Sequence, residues 1–151
     1  MALTLQEISD RFEIQDLMVG YCYAVDNRDF NALDDVFSED AVIDYSEMVG
    51  FIGNRDEVKV FLAEGLGQML NYQHAVSTTQ YKFDGDTCRT RTVCHNPMLV
   101  KNPDGSEQPF FFGLWYHHEF KRTPEGWRMS HLREQKCYNF NLPDWIKEMT
   151  A

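Results

Sequence analysis

Three turn signals, Asp84-Gly85-Asp86, Pro103-Asp104-Gly105 and Pro124-Glu125-Gly126, cut the second half of the chain into long stretches. Between and after them run TCRTRTVCHNPMLV, PFFFGLWYHHEFKR and WRMSHLREQKCYNFNL, rich in threonine, valine and aromatic side chains. Long runs of this kind joined by Gly-bearing turns predict an antiparallel meander, with one more strand around 73–83 ahead of the first turn. The first third obeys a different period. Ile14, Leu17, Met18, Tyr21, Cys22 and Val25 recur at three- and four-residue steps and form one apolar helical stripe.

DNRDF interrupts that stripe, and Asp29 is placed to cap a short second helix through Leu33 to Phe37. AVIDY at 41–45 reads as a first strand, with Phe51-Ile52-Gly53 pairing to it. A third helix spans roughly Asn54 to Leu66 and turns Val58, Phe61 and Leu62 inward. Helices first and long strands after define an α+β fold. A curved sheet wrapped on those helices leaves a cone-shaped cavity, the natural place for a small-molecule site. A chain of 151 residues, 43% hydrophobic, can bury about two-thirds of its exposable surface, so one domain over 1–151 is expected.

Charge removes several function classes. Lys and Arg number 14 against 24 Asp and Glu, a net charge of −10, and no basic cluster rises above that background. Such a surface repels phosphate backbones, so no nucleic-acid partner is expected. The residues after Met1 hold neither a basic start nor an apolar run, so neither a leader nor a membrane span is read, and a cytoplasmic protein is expected. Cys22, Cys88, Cys94 and Cys137 show no CxxC spacing. On an extended strand Cys88 and Cys94 stand roughly 20 Å apart, beyond disulfide reach, so packed reduced thiols are expected rather than a disulfide framework or a zinc site.

GxGxxG, P-loop, GxSxG and HExxH motifs are all missing from the sequence. His117 and His118 are adjacent on a predicted strand and point to opposite faces, so they do not chelate one ion together, and no metal is assigned. What remains is cofactor-free acid–base chemistry. Asp26 continues the Met18–Cys22 step and falls either on the buried stripe or, as a helix-ending acid, among solvated Asn27, Arg28 and Asp29. On the stripe, burial and the helix C-terminus would both raise its pKa unless a partner compensates. Histidine is the natural partner, since a carboxylate behind an imidazole fixes its tautomer and raises its basicity. His74 lies where the third helix gives way to strand. His95 lies within a strand whose one face carries Arg91, Val93, His95 and Pro97. Each histidine alone reads equally as a packed structural residue.

Several strings resemble the SnoaL-like branch of the NTF2-like superfamily, and most closely its scytalone dehydratase group. YAVDNRDFNAL resembles the helix exit carrying that group's catalytic aspartate, which falls on Asp26. VIDYS resembles the strand of its water- or carbonyl-holding tyrosine, giving Tyr45. NYQHAVS resembles the string of the aspartate-paired histidine, giving His74, and RTVCHNP resembles the strand of a second pocket histidine, giving His95. HEFKRTPEGW is similar to the family's final hairpin. Val25 stands where that group has a tyrosine, and Leu114 and Tyr116 replace a serine and an asparagine. Tyr21 sits five residues before Asp26, a spacing similar to that of bile-acid dehydratases, and the Asp–His pair is similar to that of hexachlorocyclohexane dehydrochlorinase.

The resemblance implies three N-terminal helices on a strongly curved, mostly antiparallel sheet enclosing a pocket. It implies a cofactor-independent lyase, a dehydratase acting on a small hydrophobic cyclic or phenolic hydroxy-carbonyl compound. Asp26, His74, Tyr45 and His95 form its catalytic set, and Tyr21, Val25, Arg91, Val93 and Tyr116 contact substrate. It also implies a homotrimer, with a dimer as the fallback. Isomerisation, cyclisation, dehydrohalogenation and retro-aldol cleavage need the same base and oxyanion partner and stay open. So do a non-catalytic binding module and a small oxygenase subunit.

Overall fold

In a computed structural model that describes residues 2–149, helix α1 runs from Leu5 to Asp26. It starts at Thr4, whose hydroxyl accepts the Glu7 N–H while the Glu7 carboxylate accepts the Thr4 N–H at 2.6 Å, a reciprocal cap. Ile14, Met18, Tyr21, Cys22 and Val25 are buried along it, as the stripe predicts. The ends of the expected 1–151 domain, Met1 and Ala151, lie outside the described residues. No helix is long and apolar enough to cross a membrane among them.

Seven strands follow: β1 (Phe37–Tyr45), β2 (Phe51–Gly53), β3 (Met69–Tyr72), β4 (Ala75–Asp84), β5 (Thr87–Lys101), β6 (Glu107–Thr123) and β7 (Gly126–Phe140). Helices α2 (Ser46–Val49) and α3 (Arg55–Gly65) lie between β1 and β3, and α4 (Asp144–Met149) follows β7. The sheet is ordered β2-β1-β7-β6-β5-β3, with β4 pairing along the other half of β5. Antiparallel pairing dominates, and β1 runs parallel to β7. The sheet is open, curved and packed on the helices: the architecture is α+β and NTF2-like.

Local details differ from the sequence expectation. Asp29 makes no side-chain cap, and Phe30–Asp35 form a single 3₁₀ stretch. β1 begins at Phe37 rather than Ala41, because Phe37 is fully buried opposite Met129. The strand expected at 73–83 is β4, but β3 precedes it on the same edge of β5, and Gln73 and His74 fill the interruption. Helix α4, unforeseen, begins just after Pro143 and buries Ile146.

Asp10 anchors the far end of the core. It is 4% exposed and accepts from the Trp127 indole N–H at 2.9 Å, from Arg122 at 2.8 Å and from Gln6 at 3.0 Å. Burial pushes its carboxyl up, but the donors from Arg122, Trp127 and Gln6 together outweigh it and hold the group below its usual range. Asp10→Ala leaves Trp127 and Arg122 without their acceptor, and is expected to cost about 3 kcal/mol in urea unfolding at pH 7. A depressed carboxyl gives stability that is present above its unfolded value and lost as pH falls, so the gap between wild type and variant should narrow in acid. A gap that is equal at pH 7 and pH 3 would show that the carboxylate charge is not the source.

Candidate active site

The last turn of α1 positions the first group. Asn27, Arg28 and Asp29 close the helix by a Schellman motif, with Arg28 N–H donating to Val25 and Asp29 N–H to Ala24. Arg28 takes the left-handed conformation, φ 57°, that usually falls to glycine. Its side chain gives a reason. The guanidinium donates to the carbonyls of Leu66 (2.9 Å) and Met69 (2.7 Å) and lies over the Tyr72 ring. Tyr72 in turn donates its hydroxyl to the Val25 carbonyl at 2.8 Å. The helix end is thereby tied to β3 from two sides, and Asp26 stands between the ties.

Asp26 reaches His74 with both oxygens. Oδ1 lies 2.6 Å from Nδ1, and Oδ2 accepts the His74 backbone N–H at 2.9 Å. The side chains are 20% and 8% exposed respectively, so the structure favours the inward reading of Asp26 over the solvated one. Tyr21 and Tyr72 meet the imidazole edge-on, with ring centroids 6.3 and 6.2 Å away. With an ionised carboxylate at Nδ1, that nitrogen carries the hydrogen and Nε2 is left as the acceptor.

His74 lines a cavity of about 160 Å³ between the helices and the concave sheet face. Eighteen residues form its wall and five are polar, Tyr21, Tyr45, His74, Asn96 and Glu134, so any ligand there meets few hydrogen-bonding groups. The two phenols are joined at 2.6 Å. One hydroxyl is spent on the other, and one proton of the pair remains for a ligand. Burial holds both phenols well above their usual range, so they act as neutral donors. Asn96 donates to the Gln73 carbonyl at 2.7 Å, bracing the segment that carries His74. Glu134 is the unexpected member: burial, reinforced by Asp44, pushes its carboxyl up to about 8.

Of the nine residues singled out from sequence, Tyr21, Val25, Tyr45 and His74 line this cavity, and Asp26 stands directly behind His74. Tyr116 is buried beside Tyr21 in edge contact and supports the wall without lining it. Arg91, Val93 and His95 do not reach the cavity. Alternation along β5 turns Thr90, Thr92, Cys94 and Asn96 inward, so the neighbouring face points out, and Arg91 and His95 are exposed. Arg91 lies over Trp115 and His95 packs on Phe111, both on that outer face. The inward position next to His95 is Asn96.

His118 and His117 are structural in their contacts. His118 is buried against Thr90 Oγ1 at 2.8 Å, and desolvation lowers its pKa to about 3. His117, on the opposite face, contacts Gln135 at 2.7 Å. Glu134 and Asn96 went unread in the sequence, although two-residue steps from Leu132 and from Thr92 through Cys94 point to them.

An uncharacterized protein of Mycobacterium tuberculosis (strain H37Rv) is 43% identical over 136 residues, covering 90% of this chain and 91% of its own length. A provisionally named scytalone dehydratase from Novosphingobium aromaticivorans superposes with a TM-score of 0.78 at 18% identity, covering 90% of this chain and 89% of that one. The dehydrochlorinase LinA-type3 from Novosphingobium barchaimii, which the structure's name assigns to hexachlorocyclohexane, gives 0.76 at 20% identity over 93% and 94%. At such identities the two structures are evidence for the fold alone. The model of the SnoaL-like domain matches residues 6–133, and the chain belongs to that family.

Proposed function

We propose that the chain is a cofactor-independent lyase, a dehydratase acting on a small, hydrophobic, cyclic or phenolic hydroxy-carbonyl compound. The observation that carries this reading is the Asp26–His74 pair opening on an apolar cavity. Asp26 fixes the tautomer, and His74 Nε2 removes the proton next to the substrate carbonyl. The imidazolium so formed is stabilised by the carboxylate behind it. The free proton of the Tyr21–Tyr45 pair donates to the carbonyl oxygen as enolate charge develops, the type of stabilisation that usually contributes most. Tyr45 keeps the role expected from sequence, and Asn96, which faces the cavity, takes the place assigned to His95. The two relatives by fold whose names denote eliminating enzymes fit this class.

The reading also includes a cytoplasmic protein with reduced thiols and a homotrimer, with a dimer as the fallback. Four free cysteines support the former. The outer sheet face supports the latter: Phe111 stacks on Phe140 at 4.9 Å, Tyr138 and Phe140 are more than half exposed, and the Tyr138 ring lies so close over Gly113 that no Cβ would fit. Apolar area of this kind asks for a covering partner. Light scattering should give the mass of three chains, and Phe140→Asp should lower it; a monomer at high concentration would overturn this part.

The chemistry is tested with 3-hydroxycyclohexanone, whose dehydration is read from enone absorbance, and with 5-nitrobenzisoxazole, which reports proton removal from carbon. His74→Ala should lose about 10²-fold or more on both. Asp26→Asn should lose most of the rate while still folding cooperatively, with a thermal midpoint lowered by several degrees because its two bonds to His74 lose their charge. Loss of water in the first assay distinguishes elimination from isomerisation. A His74→Ala variant with the wild-type rate would eliminate the mechanism.

A further inference from the structure

We propose that Glu134 is a second catalytic group of this cavity, donating its carboxyl proton to the departing oxygen while His74 holds the proton taken from carbon. The proposal rests on the lyase reading above and deepens it. Glu134 lies on β7 opposite Tyr116 and lines the cavity, and its carboxyl makes no hydrogen bond or ion pair among the described residues. No lysine or arginine lines the cavity, so an ionised carboxylate would stand there without a counter-charge. Facing it are Tyr21 from α1, Asp44 and Tyr45 from β1, Cys94 from β5, Tyr116 from β6 and, on the same cavity, His74. Burial holds the three phenols and the thiol above their usual ranges, and none of these neighbours except His74 can bring positive charge. The carboxyl is therefore an acid that keeps its proton at neutral pH, and it lines the same cavity as His74.

The census of donors leaves this role vacant otherwise. The phenol pair offers one proton, which goes to the carbonyl, and the Asn96 amide, with one N–H on Gln73, can donate a hydrogen bond but cannot give up a proton. A base that must also return its own proton can serve only a hydroxyl on the same side as the carbon proton; a separate acid lifts that restriction. In the step, the C–H electron pair becomes the new C=C bond through the enolate, and the C–O bond breaks. The Glu134 O–H bond breaks with it, and its proton leaves in the water formed. His74 ends as imidazolium and Glu134 as carboxylate, and passage of one proton between them through the released water resets both. Two neutral donors placed apart, with no cation, select an uncharged substrate bearing a carbonyl and a separate hydroxyl.

Glu134→Gln keeps the volume and a donor but cannot give up a proton. It should lower kcat on 3-hydroxycyclohexanone about 10²-fold with KM within a few-fold. On 5-nitrobenzisoxazole, whose phenolate departs without help, the loss should stay below about tenfold, whereas His74→Ala fails on both. Wild-type kcat/KM for the hydroxyketone should fall as pH rises through about 8, and the variant should lack that limb. A substrate-free readout accompanies these. Raised in the fold, the carboxyl binds a proton that the unfolded chain has released, so stability falls with pH between the ordinary carboxylate range and about 8. The thermal midpoint of wild type should drop over that interval, and Glu134→Gln should remove most of the drop. Wild-type kcat in Glu134→Gln beside a dead His74→Ala, or an unchanged drop in midpoint, overturns the acid role alone. Turnover of neither probe by wild type, or full turnover by His74→Ala, overturns the lyase reading and this role with it.

Discussion

The carboxylate of Asp26 is the joint between the helical layer and the sheet at the site. One oxygen holds the His74 ring and the other holds the His74 main chain, so rotation of the imidazole and slippage of the segment are resisted by the same group. Each is a charge-assisted bond worth about 1.5–3 kcal/mol. The joint depends on where α1 ends. One more helical residue would swing the chain that follows Asp26, Arg28 included, by about 100° around the axis and away from its present contacts with β3. The Schellman closure and the two carbonyls gripped by Arg28 prevent that extension. A non-glycine residue in the left-handed region costs about 1–2 kcal/mol, and here it coincides with contacts that only a long cationic side chain can make.

The interruption between β3 and β4 is the sheet's counterpart. Both strands use one edge of β5, and the two residues between them are freed from the ladder at the point where His74 must face the cavity. Asn96 and Pro97 of β5 recapture the released backbone through Gln73, whose carbonyl accepts from Asn96 and whose N–H donates to the Pro97 carbonyl. The break is thus satisfied in hydrogen bonds and rigid, and a histidine that would otherwise alternate with its neighbours is aimed by local geometry.

Much of this was legible in the sequence because it is periodic. The α1 stripe, the turns at 84–86, 103–105 and 124–126 and the α+β order follow from apolar spacing and turn chemistry alone. The face of β5 was not. Thr92, Cys94 and Asn96 are no more apolar than Val93 and His95, so alternation gives two equivalent answers, and a histidine drew the assignment to the wrong one. Arg91, on the same face as His95, was the clue to the outer side. β7 hid Glu134 for a different reason. A register shift after Met129 changes the parity of the strand, so counting from Trp127 places Glu134 outside, and only counting from Leu132 brings it in. The parallel pairing of β1 with β7 is a long-range contact that no local pattern encodes.

Charge on the outside and its scarcity within act together on what can enter. The chain carries a net charge of −10, yet the cavity wall holds no cation, and its phenols are kept protonated by burial. An anionic ligand would cross a repulsive surface potential and then lose its hydration in a wall that returns no opposite charge, two costs of the same sign. A neutral ligand meets neither, and gains dispersion and burial against Phe61, Phe110 and Phe112 while presenting its oxygens to the few donors available. Within the proposed elimination this has a kinetic consequence. The charge separation that the wall meets grows between His74 and the carbonyl oxygen as the proton moves, and passes to His74 and Glu134 as the oxygen departs, so the site distinguishes the transition state from the uncharged ground state by the charge that appears between them.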